Sequence, residues 1–258
     1  MDTIFQHFRK EEQPFIELAY DWIQDVEQMY APKLTDFLNP RERFIVQSLL
    51  SNGDIELANS GQFEQAERQR VLLYPNYYVP EVADFQVAIF RIKYPTKFVT
   101  LEHKDVLGSL MGLGIDRSKF GDIRIDDEDV QFAVADELKD YVQANFVTVG
   151  KSKISIEEVQ REEDIIQETD TWKEEMNVVS SMRLDTIVAA VTSISRQKAV
   201  ALIKGEKVRV NWATEQNVSA ELFEEDVLSI RGFGRFKVIA VEGRTRKDKI
   251  RLITGALE

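Results

Sequence analysis

The pattern of apolar and polar positions is most regular in the last third of the chain. Between residues 183 and 191 apolar side chains recur every three or four positions, which predicts a helix that buries one stripe. Ser195 is typical of a helix N-cap and Gly205 of the left-handed residue after a helix, so a second helix is predicted over residues 196–204. Residues 207–211 then alternate charged or polar side chains with valine, the pattern of a half-buried strand.

These three elements are expected to bring arginine, lysine and a helix N-terminus to one surface. Such a surface suits the phosphates of a structured RNA, because backbone N–H groups and the positive end of a helix dipole attract anions. A solvated basic face on a small α/β unit is the alternative that the spacing alone leaves open.

Residues 1–76 are predicted to form a mainly helical region. Apolar residues recur at helical intervals from the start, although Pro14 is expected to interrupt the first helix. Asn39 followed by Pro40 is typical of a helix start. The predicted elements are a helix over residues 1–30, a helix over 41–50, an extended segment over 55–58 and a helix over 64–73.

From residue 82 the periodicity changes to that of short strands and helices. The predicted elements are a strand over 85–94, a helix over 103–113, strands over 122–125 and 130–135 around an acidic turn, a helix over 136–146, and a strand over 147–156 with Gly150 in a turn or bulge. This β-α-β-β-α-β order is that of the ferredoxin-like split βαβ fold, which also underlies the RNA-recognition motif. The predicted fold class is therefore α+β, with this ferredoxin-like domain at residues 77–157 and a small α/β domain at 181–258.

Recognition motifs of that kind stack bases on aromatic side chains of the two central strands. Phe85, Phe90 and Phe132 lie on those predicted strands, but the basic-glycine-aromatic signature is absent, so base reading is not expected there. Residues 157–180 contain nine acids, two bases and neither glycine nor proline, which is typical of a charged tether or an exposed helix. Contact of this acidic linker with a cationic protein is the alternative.

The formal net charge of −12 is distributed unevenly along the chain. Residues 181–258 carry 14 Lys and Arg against 10 Asp and Glu, a net charge of +4, whereas residues 1–180 carry 19 against 35, a net charge of −16. An acidic body with a basic C-terminal module favours one docking pose on RNA over general coating of nucleic acid. Two arginine pairs of the acidic body would either contact phosphate or only be solvated: Arg41 with Arg43, and Arg68 with Arg70.

Several residue types that carry chemistry are absent or isolated. There is no cysteine, which excludes disulfides and thiolate metal sites and fits a reducing cytoplasm. No run approaches the roughly 20 apolar residues of a membrane span, and the N-terminus lacks the apolar core of a signal peptide. His7 and His103 have no second ligand at metal spacing, and no nucleophile accompanies His103 and Asp105. We therefore expect a cytoplasmic protein without metal, cofactor or catalytic residues.

Spaced elements between Ser181 and Thr254 resemble the S-four domain. They are the triplet Arg183-Leu184-Asp185, Ser195-Arg196 with Lys198-Ala199, Gly205 with residues 208–211, Glu225-Asp226, and residues 230–235. This module is named for small-subunit ribosomal protein S four and recurs in tyrosyl-tRNA synthetases, pseudouridine synthases and a heat-shock ribosome-binding protein. The triplet also resembles the catalytic Arg-Leu-Asp of pseudouridine synthases, but without their large catalytic domain Asp185 is expected to pair with a basic residue or cap a helix.

The resemblance extends further, to the YlmH-type proteins of Gram-positive bacteria, whose C-terminal part is an S-four domain. Residues 102–108 and the glycine-rich loop 112–123 look like the central segment of that family, and residues 38–42, 66–68 and 231–236 match it as well. Alone, the loop fits neither the phosphate-loop nor the dinucleotide pattern. Members of the family lie near division genes, are described as RNA-binding and are implicated in acting on the large ribosomal subunit with peptidyl-tRNA.

We therefore expect a non-enzymatic, ribosome-associated protein that docks structured rRNA or tRNA. The predicted RNA-binding residues are Arg183, Ser195, Arg196, Lys198, Lys204, Lys207, Arg209, Asn211, Arg231 and Arg235. Gly232 and Gly234 would either let the backbone approach RNA closely or only shape a turn. Trp212 or Phe233 would stack a base. For Phe236, packing in the core is preferred over stacking a base. The alternative is an interaction protein that recruits a cell-division partner through its acidic N-terminal domains, with RNA binding secondary.

Overall fold

Two units make up the chain in the computed structural model, Met1–Thr169 and Asp170–Glu258. The structure describes residues 12–50, 53–61, 63, 66–166, 172–224 and 226–257. The first unit contains a three-stranded and a four-stranded sheet with their helices, and the second is built around one six-stranded sheet. Helices combined with several antiparallel sheets confirm the predicted α+β class.

Two of the predicted N-terminal helices are confirmed, α1 (Gln13–Met29) and α2 (Pro40–Leu49). Pro14 lies in the first turn of α1, where its missing N–H is not needed. Asn39 caps α2 as predicted: its Oδ1 accepts from the Glu42 N–H at 2.9 Å, and Glu42 Oε2 accepts from the Asn39 N–H at 2.7 Å. The start of the predicted first helix, before residue 12, lies outside the described residues.

A three-stranded antiparallel sheet shows that the prediction of a mainly helical N-terminal region is wrong. Its strands are β1 (Lys33–Leu38), β2 (Ile55–Asn59, the predicted extended segment) and β3 (Gln69–Pro75), in the order β1-β3-β2. Strand β3 stands where a helix was predicted over residues 64–73. Val71 and Leu73 pack with α1, and Leu72 packs on the other face of the sheet. A strand buried on both faces is apolar without interruption, so periodicity cannot distinguish it from a buried helix.

The ferredoxin-like topology of the central domain is confirmed. Its elements are β4 (Val87–Lys93), α3 (His103–Met111), β5 (Phe120–Asp126), β6 (Asp129–Ala135), α4 (Lys139–Asn145) and β9 (Ser155–Glu158). All neighbouring strands are antiparallel, in the order β5-β6-β4-β9, as the split βαβ arrangement requires. The last predicted strand is interrupted by a hairpin of β7 (Thr148–Val149) and β8 (Ser152–Lys153), with Gly150 at a φ of +57° in the expected turn.

The second unit contains a six-stranded antiparallel sheet in the order β10-β15-β14-β13-β11-β12. Its strands are β10 (Trp172–Val179), β11 (Val208–Val210), β12 (Ala213–Thr214), β13 (Val227–Ile230), β14 (Gly234–Arg244) and β15 (Ile250–Leu257). The predicted helices are present as α5 (Leu184–Val191) and α6 (Arg196–Lys204), and both pack on one face of this sheet. We call the face opposite the two helices the outer face.

The prediction that residues 157–180 form a tether or an exposed helix is wrong for the part that the structure describes. Strand β9 includes the first two residues, and β10 pairs over its whole length with β15, from Trp172 opposite Leu257 to Val179 opposite Ile250. Strand β10 lies at the edge of the sheet, where charged side chains are common because they discourage pairing with other chains. An acidic edge strand therefore has a composition similar to that of a charged linker, which is why composition did not predict β10.

The helices α5 and α6 are short and meet at a sharp bend of 114°. No helix in the described ranges is by itself long and apolar enough to cross a membrane; this bent pair meets the criterion only when its two members are combined. The prediction of a left-handed Gly205 after α6 is wrong, because Gly205 has a φ of −86° and Glu206 takes the left-handed conformation at +56°.

Candidate nucleic-acid interface

A buried carboxylate holds two of the predicted RNA-binding arginines at the start of α5. The Asp185 side chain is only 3% exposed. Arg183 donates to it from Nε at 3.2 Å and from Nη2 at 3.1 Å, and Arg196 donates from Nε at 3.0 Å and from Nη2 at 2.8 Å. The two arginine side chains remain 39% and 57% exposed. We call these three residues the Asp185 cluster.

The hydrogen bonds of the cluster favour the charged forms of Asp185 and Arg183. Burial by itself would raise the pKa of Asp185, but the hydrogen bonds from Arg183 and Arg196 and their positive charges outweigh it and lower this pKa. The hydrogen bond to Asp185 in turn raises the pKa of Arg183. Asp185 thus pairs with basic residues, one of the two roles expected from the sequence. The carboxylate fixes where two cations lie while leaving part of each open to a ligand.

Helix α6 carries the next predicted residues. Ser195 caps it, with its Oγ accepting from the Lys198 N–H at 3.3 Å, so this hydroxyl has a structural role. Lys198 and Lys204 lie at exposed positions, and no acidic side chain of the described residues holds either of them. Among the described residues, therefore, no acidic side chain neutralises their positive charge.

The remaining predicted cations lie on the strands or directly beside them, whereas the sequence suggested a single surface. Val208 and Leu228 pack against the helices, so the alternating neighbour Arg209 points to the outer face. Arg209 and Arg235 lie on either side of Ser229 in register across β11, β13 and β14. Exposed Lys207 and Arg231 are joined through their backbones, since the Arg231 N–H donates to the Lys207 carbonyl at 2.9 Å. The predicted cations thus form a helix group and a strand group.

The side chain of Asn211 is occupied by structure. Its Nδ2 donates to Asp226 Oδ1 at 2.7 Å, and its Oδ1 accepts from the Val227 N–H at 2.9 Å. Both contacts tie the turn between β11 and β12 to the start of β13. The polar RNA contact expected from Asn211 would require breaking one of these bonds.

Aromatic residues of the second unit divide between core and surface. Phe236 packs in the core of the second unit, as preferred from the sequence, whereas Phe233 is 44% exposed on the turn before β14. The φ angles of Gly232 and Gly234, +89° and +106°, show that these glycines shape that turn. Trp212 lies beside Arg235, whose guanidinium carbon is 5.9 Å from the Trp212 ring centre.

One basic feature of the second unit was missed by the sequence analysis. The hairpin turn between β14 and β15 exposes four cations within six residues: Arg244, Arg246, Lys247 and Lys249. Among them Arg244 pairs with Asp248, Nη1 to Oδ1 at 2.9 Å. The density of lysine and arginine was a usable signal, because such clusters mark nucleic-acid surfaces.

The sheet of the central domain, in contrast, is packed on both faces. Phe90 and Phe132 are fully buried in the core beneath α3 and α4, with their ring centres 5.8 Å apart. On the opposite face, Ile89 is covered by Phe37 and Phe63 of the N-terminal region. Recognition motifs leave that second face open to stack bases. Base reading on this sheet is therefore excluded for the observed arrangement, in agreement with the missing signature.

Polar residues of the covered face are also bound internally. Arg91 forms two hydrogen bonds with Asp129, at 2.8 and 2.9 Å, and donates to the Asp164 carbonyl at 2.9 Å. Gln131, fully buried, donates to the same carbonyl at 2.8 Å and accepts from the Ile166 N–H at 3.0 Å. These hydrogen bonds hold residues 164–166 against the face of the sheet opposite α3 and α4.

All four arginines of the two N-terminal pairs donate to acceptors within the protein. The two roles predicted for them, contact with phosphate or simple solvation, are therefore both wrong. Their acceptors are Glu12 for Arg41, Gln69 Oε1 and the Glu67 carbonyl for Arg43, the carbonyls of Phe37 and Phe120 for Arg68, and the carbonyls of Thr35 and Gln86 with Glu137 for Arg70. Burial lowers the pKa of Arg43, although nearby Asp122 and Glu67 raise it. Arg68 and Arg70 thereby join the N-terminal sheet to the central domain.

The glycine-rich loop has the same joining role. Arg117 donates to the carbonyls of Phe120 and Gly121, at 2.5 and 3.2 Å, and burial together with the charge of Arg68 lowers the pKa of Arg117 to about 10. A Cβ at Gly121 would lie 2.7 Å from the Phe37 ring, so glycine permits this close approach. The glycine-rich loop therefore packs the central domain against Phe37 of the N-terminal region.

The residues considered for catalysis or metal binding are His7, His103 and Asp105. No group of three or more His, Cys, Asp or Glu side chains is placed to hold a metal ion within the described ranges. Asp105 caps α3 by accepting from the Glu102 N–H at 3.3 Å, beside His103. His7 lies outside the described residues.

Comparison with known proteins identifies the family. Residues 80–163 match the profile described as “Putative RNA-binding domain in YlmH”, and residues 11–78 match “YlmH, N-terminal”. The chain is 42% identical over 252 residues to the Ribosome-associated protein quality control protein P2 of Bacillus subtilis (strain 168), covering 98% of both chains. It also resembles the structure of Cell division protein ylmH from Streptococcus pneumoniae, with 37% identity, a TM-score of 0.54, and coverage of 62% of this chain and 98% of that one. The chain belongs to the YlmH family, as its sequence motifs suggested.

Proposed function

We propose that this protein is a ribosome-associated RNA-binding factor that docks structured rRNA or tRNA through an S-four-type C-terminal unit. The similar B. subtilis protein is named for ribosome-associated quality control, and the central segment matches a profile named for RNA binding. The protein would act in the cytoplasm by binding, without a catalytic step or a cofactor.

The Asp185 cluster is the observation that carries this proposal. A buried carboxylate that orients two half-exposed arginines makes a preorganised site for phosphate, because little side-chain freedom is lost when the ligand binds. Lys198 and Lys204 extend the positive charge along α6, and the net charge of +4 over residues 181–258 adds long-range attraction to RNA.

We place the main RNA contact on the second unit even though the family profile named for RNA binding covers residues 80–163. In the central domain the face that recognition motifs use is packed against the N-terminal region. Arginines around it, such as Arg70 and Arg91, already bind acceptors within the protein. The second unit offers exposed cations that have no such partner in the described chain, including Lys207 and Arg209.

The test is RNA binding by Arg196→Ala and Lys207→Ala, measured as a function of salt on a structured rRNA or tRNA fragment. Each variant should bind more weakly, and the slope of log K against log salt should become shallower by about one. Lys33→Ala is the matched control. The Lys33 side chain is 42% exposed on the first unit and pairs with Asp25, and Lys33 lies outside both residues 80–163 and the second unit.

Unchanged slopes in both variants would remove these residues from the interface and refute the proposed docking. Crosslinking in cells separates the two functions considered. Discrete rRNA or tRNA crosslinks support RNA docking, whereas crosslinks to division proteins alone would favour the interaction protein instead.

A further inference from the structure

We infer that the outer face of the C-terminal sheet holds a second RNA subsite, in which Trp212, Arg235 and Trp172 bind an unpaired nucleobase. This inference rests on the proposed RNA-binding function and adds to it a class of ligand, RNA with exposed bases. It uses side chains away from the Asp185 cluster.

The geometry of the three side chains defines the site. The guanidinium carbon of Arg235 lies 5.9 Å from the Trp212 ring centre and 6.0 Å from that of Trp172, so one cation lies between two indoles. Trp172 comes from the edge strand β10, Arg235 from β14 and Trp212 from the turn between β11 and β12. The site therefore spans most of the width of the sheet.

Trp212 occupies a backbone conformation that disfavours a large side chain. Val210 pairs with Ala213, so Asn211 and Trp212 form a two-residue hairpin loop, with φ angles of +46° and +68°. Loops of this type prefer asparagine followed by glycine, because both positions need a positive φ. A tryptophan in the place of glycine is unfavourable for folding, which points to a role of the ring outside the fold.

Trp172 is accommodated by a glycine on the neighbouring strand. A Cβ at Gly255 would lie 2.7 Å from the Trp172 Cβ and 3.1 Å from Ile239, so any larger residue would push the indole off the sheet. Gly255 is thus the residue that lets the Trp172 side chain lie close against β15 on the outer face. Both indoles stay partly exposed.

The charge of the outer face favours an anionic occupant. Strand alternation puts four cations on this face: Arg209, Arg235, Lys237 and Arg251. Glu174 is the acid that the same alternation places on it from β10. Exposed aromatic rings beside cations are the features by which proteins bind single-stranded nucleic acid, with the base on the ring and the phosphate on the cation.

The test compares two RNAs of equal length, a stem-loop with an unpaired loop and a fully paired duplex. Trp212→Gly removes the ring and should keep the fold, since glycine suits the loop. We expect it to bind the stem-loop about 10-fold more weakly, to bind the duplex as the wild type does, and to keep the salt slope. Trp172→Leu should lose stem-loop affinity in the same way. Phe98→Ala, which removes an aromatic side chain 88% exposed on the first unit, is the matched control and should change neither affinity.

Three results would overturn the inference. Equal stem-loop affinities of Trp212→Gly, Trp172→Leu and the wild type would exclude base binding here, while duplex binding would leave the proposed function intact. A wild type that binds neither RNA would refute the proposed function itself and the subsite with it. A wild-type dimer that Trp212→Gly dissociates would show that the outer face binds a second copy of the chain instead.

Discussion

The two larger sheets of this protein both carry arginines on the face away from their helices, but only one of them leaves that face open. In the central domain, Arg91 binds Asp129 and the Asp164 carbonyl, and the apolar residues around it lie beneath Phe37 and Phe63. In the second unit, Arg209 is exposed on the outer face. The same residue type is therefore part of the fold in one sheet and of a surface in the other.

The difference teaches that topology alone does not make a sheet an RNA platform. A ferredoxin-like sheet reads bases only when nothing packs on its second face. Here the N-terminal sheet and residues 164–166 supply that packing. An arginine whose donors are satisfied by carbonyls and carboxylates gains little from phosphate, whereas an exposed one gains a partner.

The largest expected effect separates structural from ligand-binding arginines. Arg70→Ala removes a guanidinium that is 5% exposed and that donates to the carbonyls of Thr35 and Gln86 and to the Glu137 carboxylate. We expect the free energy of unfolding to fall by about 4 kcal/mol, with the RNA affinity of the folded protein unchanged. Denaturant titration and RNA binding at one temperature measure both.

Arg209→Ala is the matched arginine for that comparison. It should alter unfolding by less than about 0.5 kcal/mol, because no partner is lost in the described chain, and it should weaken RNA binding. If both variants lost stability equally, the distinction between the two sheets would be wrong.

A smaller effect is expected at the carboxylate of the Asp185 cluster. Asp185→Asn should lower the free energy of unfolding by about 2 kcal/mol at pH 7, because charge-assisted hydrogen bonds to Arg183 and Arg196 become neutral ones. The folded state lowers the pKa of Asp185, so its contribution is full above the usual value of 3.8 and is lost as the pH falls through the lowered folded value.

Unfolding titrations at pH 7 and at a pH well below 3.8 check this prediction. The gap between wild type and Asp185→Asn should close in acid. Asp248→Asn, which changes an ion pair that is largely in solvent, is the control and should leave stability nearly unchanged at both pH values. A gap that stays constant with pH would mean that the charge of Asp185 is not what stabilises the cluster.

The smallest expected effect concerns residues 164–166, which pack on the face of the central sheet opposite its helices. Gln131→Ala removes the acceptor of the Ile166 N–H and a donor to the Asp164 carbonyl, so roughly 1 kcal/mol of local stability should be lost. Amide exchange at Ile166 should accelerate while RNA affinity stays unchanged. A gain in RNA affinity would reverse the comparison, because it would show that the covered face binds RNA once it is exposed.

The sequence predicted local structure well where one physical signal dominated. The caps at Asn39 and Ser195 appear as expected, because a side-chain acceptor followed by a helical pattern has few other uses. The strand order of the central domain followed from alternating element types. Strand β3 was predicted as helix and β10 as linker, because one is buried on both faces and the other lies at an edge.

The candidate site was foreseen only in part. The sequence picked out Arg183 and Arg196 as RNA-binding residues and, through the resemblance of the Arg-Leu-Asp triplet, Asp185 as a pairing residue; the structure joins the three around one carboxylate. It did not pick out Trp172, whose contact with Arg235 crosses a glycine on a third strand. Such contacts depend on which strands become neighbours, which no local pattern encodes.

The chain by itself determined the family, the helix caps at Asn39 and Ser195, the alternation that exposes Arg209, and the concentration of positive charge after residue 180. Those features depend on neighbours a few residues apart or on simple composition. Only the tertiary structure decided which arginines are free for a ligand, because donors such as Arg70 find their acceptors 16 to 67 residues away. Burial and hydrogen bonding are set only when the chain folds. They distinguish arginines that bind acceptors inside the protein from those that stay exposed to a ligand.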